Sequence, residues 1–135
     1  MAMVSVRYIV DDVDAAINFY TQRLSFAVDA HPGPGFAILS RDGLRLLLNT
    51  ATGPSGAAQP MPDGREPAPG GWNRIQLEVT DLDREVEALR EADCRFRNSI
   101  VTGRGGKQIL LDDPAGNPIE LFEPLPTARR RDQTS

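Results

Sequence analysis

The chain repeats itself once, and that repeat limits its fold more than any other feature. Val10-Asp11-Asp12-Val13-Asp14 and Val79-Thr80-Asp81-Leu82-Asp83 occupy equivalent places in two similar runs, offset by 69 residues. Before each lies an alternating apolar run, Val6, Tyr8, Val10 and then Ile75, Leu77, Val79, which is the two-residue period of a strand with one buried face. After each the spacing turns helical. Ala16, Ile17, Tyr20 and Leu24 form one stripe and Leu82, Val86, Leu89 and Cys94 an approximate second, with Asp12 and Asp81 placed as N-caps. Phe26 and Phe96 then open further short strands. Phe36 to Leu39 and Leu44 to Leu48 form a hairpin around Arg41-Asp42-Gly43, and Gln108 to Leu111 with Ile119 to Phe122 its counterpart around Asp113 to Asn117. The predicted order is β-α-β-β-β twice over, with the last three strands of each copy antiparallel.

Two segments fall outside the repeat. Thr50 to Gly71 is dense in Pro and Gly, with Met61 its only large aliphatic side chain, and reads as a linker or a functional flap. After Pro124 the chain becomes polar, and Arg129-Arg130-Arg131 is its one basic cluster; residues 125–135 read as a disordered tail. At 135 residues the rest fits one domain, 1–124, built of modules 3–49 and 72–124. A net charge of −4 with no basic stripe argues against a nucleic-acid partner. No apolar run approaches the length of a membrane span and no leader-like run is visible. The single cysteine, Cys94, cannot form a disulfide within the chain, which fits the expectation of a reducing cytoplasm.

The stretch from Asp112 to Pro124 carries the most chemistry. Asp113-Pro114 starts a turn, Gly116-Asn117 supplies its φ > 0 positions, and Ile119 and Leu121 alternate with Glu120 and Phe122. If Ile119 and Leu121 are buried, Glu120 points to the opposite face between Pro118 and Phe122. Together with Asp14-Ala15-Ala16-Ile17-Asn18-Phe19-Tyr20 and Leu24-Ser25-Phe26, this pattern resembles the vicinal-oxygen-chelate superfamily of glyoxalases, bleomycin-resistance proteins and extradiol dioxygenases. The resemblance covers residues 3–124. Ser25 departs from it, standing where the family usually places a helix-ending glycine, and Asp93 stands at the equivalent place after the second helix; both residues must accept an αL-like conformation or let the helix end differently. The resemblance implies an α+β fold of two βαβββ modules forming a curved, mostly antiparallel eight-stranded sheet with helices on the convex side.

In metal-dependent relatives each module gives one ligand from its first strand and one from its last. The matching positions here are Ser5, Leu47, Arg74 and Glu120. Only Glu120 is an ordinary ligand. Leucine has no lone pair, arginine is permanently cationic, and a neutral serine hydroxyl binds metal poorly. The only histidine, His31, lies outside the quartet. No metal and no other cofactor are therefore expected, and the resemblance points to the metal-free, bleomycin-resistance-like branch.

Strand parity extends the candidate site. With Ile75, Leu77 and Val79 under a helix, Arg74, Gln76 and Glu78 face the other way, as do Ser5, Arg7 and Ile9, then Arg45, Leu47 and Asn49, then Pro118, Glu120 and Phe122. Trp72 precedes this wall and is either a core plug or a stacking surface. Arg74 is the natural ion-pair partner of Glu120, with Arg7 or Arg45 near enough to compete; the pair is either a structural plug or a ligand-binding feature.

Three readings follow. The first is a metal-independent protein that binds or sequesters an antibiotic or bulky metabolite in the concave cavity. The second is a metal-free lyase, isomerase or cyclase with Glu120 as base and Arg74 stabilising negative charge. The third is a module in which the cavity has collapsed and only oligomerisation matters. A homodimer is expected. Other motifs fall away: Gly103-Arg104-Gly105-Gly106-Lys107 precedes a strand where a phosphate loop needs a helix, and no nucleophile elbow is present.

Overall fold

The computed structural model describes residues 3–126. By internal contacts the chain divides into two compact units, Met1–Gly71 with Asp113–Asn117 and Trp72–Asp112 with Pro118–Ser135.

The first unit contains β1 (Ser5–Ile9), α1 (Val13–Leu24), β2 (Ala27–Gly33), β3 (Phe36–Arg41) and β4 (Leu44–Asn49), with sheet order β1-β4-β3-β2. β1 runs parallel to β4 and the other pairs are antiparallel. The alternation seen in the sequence sets the layers. Tyr8, Leu46, Leu48, Ala37 and Leu39 are buried beneath the Val13, Ala16, Tyr20 and Leu24 stripe of α1, and Ile17 is only half-buried. Each fully buried Leu of this layer stabilises the fold by ~1.5–3 kcal/mol relative to an exposed position.

The helix has definite ends. Asp12 Oδ1 accepts the Ala15 amide at 3.1 Å, and Ser25 closes the helix in the left-handed region at φ 60°. Serine thus takes the strained conformation that its position demands.

In the second unit the strands are β5 (Ile75–Glu78), β6 (Arg95–Phe96), β7 (Val101–Thr102), β8 (Gly106–Asp112) and β9 (Pro118–Pro124), with α2 (Leu82–Glu91) between β5 and β6. The sheet order is β5-β9-β8-β6, and β7 also pairs with β8. Asp81 caps α2 through the Arg84 amide at 3.2 Å, and Asp93 adopts φ 60° beyond its end. Leu82, Val86 and Leu89 are buried with Ile75, Leu77, Ile109, Leu111, Ile119 and Leu121, while Cys94 is half-buried.

The fold is α+β as expected, but it comprises two sheets and nine described strands in place of one sheet of eight. The extra strand arises because the second module's first hairpin arm is broken. Asn98 Oδ1 takes the Leu110 amide at 2.9 Å, a bond that a continuous neighbouring strand would have supplied from its backbone.

One further expectation is corrected. Of the turn pair Gly116-Asn117, only Gly116 has positive φ, at 91°. Asn117 is buried, and its amide accepts and donates side-chain hydrogen bonds. The 50–71 segment, read as a linker or a flap, has one piece of regular structure. It carries a 3-10 turn at Gly56–Ala58, capped by Ser55, with Ala58 buried. The expected tail begins at the described Leu125 and Pro126, both exposed; residues 127–135 lie outside the described residues.

Candidate functional site

In each unit, strand pairing places the sequence-predicted residues on the sheet face opposite the helix. In the first unit, Ser5 stands across from Arg45, Arg7 from Leu47 and Ile9 from Asn49. Arg45 Nε donates to Ser5 Oγ at 2.8 Å, and Arg7 Nη1 donates to Asn49 Oδ1 at 2.8 Å. Asn49 is fully buried, and its Nδ2 donates to the Thr50 carbonyl at 2.9 Å, so both ends of the amide are used. Leu47 is half-buried between Arg7 and Ile38 in the register. Arg7 and Arg45, expected to compete for Glu120, thus bond Asn49 and Ser5.

In the second unit, Glu120 is buried and bonded at both oxygens. Arg74 Nε and Nη2 both donate to Oε1, at 3.1 and 2.9 Å, and Gln76 Nε2 donates to Oε2 at 2.5 Å. Arg74 Nη1 also donates to the Trp72 carbonyl at 3.2 Å. The ion pair is partly sheltered, with side chains 28% and 9% exposed. Around it, Glu78 is exposed and lies across from half-buried Phe122. Trp72 is 72% exposed, and the Arg97 guanidinium sits 5.2 Å from its ring centroid. Arg97 Nε in turn donates to Asp112 Oδ1 at 2.6 Å.

The pairing of Arg97 with Asp112 does not show in the sequence because Arg97 lies just beyond β6, whose two residues carry too little alternation to fix which way the next side chain points. Gln76 was placed on this face, but its bond to Glu120 was not foreseen. The parallel register Gln76–Glu120 accounts for it.

These residues do not fit a divalent ion. Glu120 offers no oxygen that is not already bonded by Arg74 or Gln76, and a cationic guanidinium beside it opposes a second positive charge. The Ser5 hydroxyl is an acceptor for Arg45, and Leu47 has no donor atom. Among the described residues, no three His, Cys, Asp or Glu side chains are grouped to hold a metal. His31 lies 3.7 Å from Asp14, away from this face.

The first unit also holds a cavity of about 660 Å³ that parity alone did not reveal. Its walls are the end of β2 at Pro32 and Gly33, the β2–β3 turn at Pro34 and Gly35, and the loop from Thr50 to Ala57; Phe36 and Arg7 complete the lining. The two walls are tied at their base by the Thr50 amide, which donates to the Gly35 carbonyl at 3.1 Å. Gly35 permits this approach, because a Cβ there would lie 3.2 Å from Thr50 Oγ1. Only Arg7 had been named from the sequence. The other wall residues belong to Pro- and Gly-rich stretches, whose periodicity says nothing about where they fold.

Two βαβββ modules, each carrying polar groups on the helix-distal face of its sheet, define the vicinal-oxygen-chelate architecture. The chain belongs to the Glyoxalase/Bleomycin resistance protein/Dioxygenase superfamily, whose family model matches residues 2–121. No curated protein matches it in sequence. Among solved structures it is similar to TnmS3, an antibiotic-binding protein from Streptomyces sp. CB03234. That similarity has a TM-score of 0.70 and 22% identity, covering 93% of this chain and 97% of that one. A lactoylglutathione lyase from Agrobacterium tumefaciens has a TM-score of 0.69 at 19% identity, with 90% and 92% of the two chains covered. A superfamily member from Sphaerobacter thermophilus DSM 20745 reaches 0.70 at 25% identity, with 91% and 97% covered. The fold therefore serves both a binding protein and an enzyme, and the choice between them has to come from the site. No helix among the described residues is long and apolar enough to cross a membrane.

Proposed function

We propose that this protein binds a bulky small molecule, an antibiotic or other metabolite, on the helix-distal face without using a metal. The observation that carries this reading is the commitment of both Glu120 oxygens to Arg74 and Gln76. A general base must offer a lone pair to the proton that it removes. Three donor contacts fill three of its roughly four acceptor sites, so in the lyase, isomerase or cyclase reading this buried carboxylate would have little left to offer a substrate proton. A binding protein gains from the same arrangement, because a pre-ordered polar group loses little entropy when a ligand docks. Exposed Trp72, backed by Arg97, adds an aromatic surface on which a planar group can stack. That a protein of this fold is an antibiotic-binding protein supports the ligand class. A collapsed module that serves only for oligomerisation is disfavoured by the open cavity of the first unit.

The protein is further proposed to act in the cytoplasm as a homodimer, with modules 3–49 and 72–124 joined in one domain. The test is a thermal-shift screen against peptide, polyketide and aromatic natural products, with divalent metals in parallel wells. Stabilisation by an organic compound, retained in excess chelator, is the expected result. Stabilisation by a divalent metal alone, abolished by chelator, would overturn the reading.

A further inference from the structure

We infer that the first-unit cavity is a binding site for an apolar ligand bearing one anionic group, with Arg7 as its anion anchor. This deepens the binding reading above by naming a ligand class and a place.

The cavity has the volume of sites that take drug-sized molecules, about 300–1,000 Å³. Its walls are poor in polar side chains. Pro32, Pro34 and Pro54 have no amide hydrogen, and Phe36 and Ala57 add only apolar surface. Two of the three hydroxyls that line it are already engaged: Thr50 Oγ1 donates to the Thr52 carbonyl at 2.7 Å, and Ser55 Oγ accepts the Ala57 amide at 3.3 Å. Arg7 is the only charged side chain in the lining.

Arg7 is also placed as an anchor should be. One arm of its guanidinium is fixed to fully buried Asn49, which sets the plane of the fork. Among the described residues no carboxylate lies within ion-pair distance of it, whereas Arg41, Arg65, Arg74 and Arg97 each have one. An oriented guanidinium at the edge of an apolar cavity matches a carboxylate or sulfonate in two-point geometry, and the apolar body of the same ligand would fill the proline-lined space.

The test uses two fluorescent probes with the same aromatic skeleton. These are the anionic 1-anilinonaphthalene-8-sulfonate and the neutral N-phenyl-1-naphthylamine. Both should bind the wild-type chain, the anionic probe more tightly. Arg7→Met should weaken the sulfonate by roughly tenfold or more, the loss expected for a charge-assisted hydrogen bond, and leave the neutral probe unchanged.

Gly56→Trp should displace both probes. Gly56 is part of the lining, a Cβ there meets nothing within 4 Å and the residue has no positive φ, so a bulky side chain can be placed at the cavity wall without straining the loop. Thermal melting of each variant checks that it is folded. Sulfonate binding that survives Arg7→Met would overturn the anchor, and binding of both probes that survives Gly56→Trp would overturn the site. Neither result touches the Glu120 argument, whose own failure would appear in the metal and chelator arms of the thermal-shift screen.

Discussion

Gln76 stands directly across from Glu120 in the parallel pairing of β5 with β9, and its Nε2 lies 2.5 Å from Glu120 Oε2. Arg74, two residues earlier on the same face, takes the other oxygen. One carboxylate is thus shared by a neutral and a cationic donor from a single strand edge. This satisfies the buried acid without a metal and explains how the helix-distal face tolerates Glu120 at 7% exposure.

The double-mutant cycle across this pair separates its structural from its binding role. Arg74→Met alone should destabilise by about 1–3 kcal/mol, because Glu120 keeps only Gln76 as partner. Arg74→Met with Glu120→Met should lie within about 1 kcal/mol of the wild type, since removing both charges also removes their desolvation cost. Urea melts give the stabilities, and titration with any compound found by the screen gives affinity on the same four proteins. A double variant that binds that compound as tightly as the wild type would reduce the pair to a plug.

A glycine supplies a sharper stability test. A Cβ on Gly106 would run into the Glu123 carbonyl oxygen and lie 2.9 Å from Pro124 Cα, both backbone atoms, and its φ is +155°. Gly106→Ala should therefore destabilise by about 1–3 kcal/mol, the range of overpacking changes. Gly43, with open space around it and no positive φ, is the control and should change stability by less than about 0.5 kcal/mol. Equal urea midpoints for the two variants would contradict the close approach of β8 and β9 at this end.

How much of this was legible beforehand depended on where regular alternation ran. Val6, Tyr8 and Val10 and their counterparts Ile75, Leu77 and Val79 showed the strands and the face that each buries, because a period of two leaves only one register for a half-buried strand. From that, Arg74 and Glu120 could be placed on one face and paired. The pairing of Arg7 with Asn49 and Arg45 with Ser5 could not be read, since it depends on the strand-to-strand register of β1 with β4. Nor could the cavity beside Pro32 and Pro54, whose walls are loops that only the folded backbone brings together.

Assembly is testable without a ligand. Gln76 and Glu78 are exposed on the helix-distal side of β5, and Trp72 and Arg74, just before that strand, are exposed as well. An exposed tryptophan beside such a sheet face favours a covering partner. Sedimentation equilibrium is expected to give a dimer, and Trp72→Asp to shift it toward monomer while the melting of the monomer stays cooperative. A monomeric wild type across the measured concentration range would remove the dimer from the proposal.

The last prediction concerns Tyr20 and the turn at Asp113. Tyr20 is fully buried, and its hydroxyl donates to Asp113 Oδ2 at 2.8 Å. Asp113 also accepts the Ala115 and Asn117 amides at Oδ1 and the Asn117 side chain at Oδ2, so one carboxylate organises the whole turn. Burial, and then the Asp113 charge and hydrogen bond, push the Tyr20 phenol well above its ordinary pKa of 10.0. In the unfolded chain the phenol ionises near pH 10, while in the folded chain it stays protonated, so the folded state holds more protons above that pH. Its contribution to stability is therefore complete below pH 10 and is lost as pH rises from there through the folded pKa, at a rate of up to about 1.4 kcal/mol per pH unit. Tyr20→Phe should cost about 0.5–1.5 kcal/mol at pH 8, because Asp113 keeps its three other donors. It should also remove this alkaline component, so that the wild-type and variant stabilities converge as pH climbs above 10. Urea melts between pH 8 and pH 11 decide the point: a constant gap between the two proteins would mean that the Tyr20 proton is not held as the Asp113 bond requires.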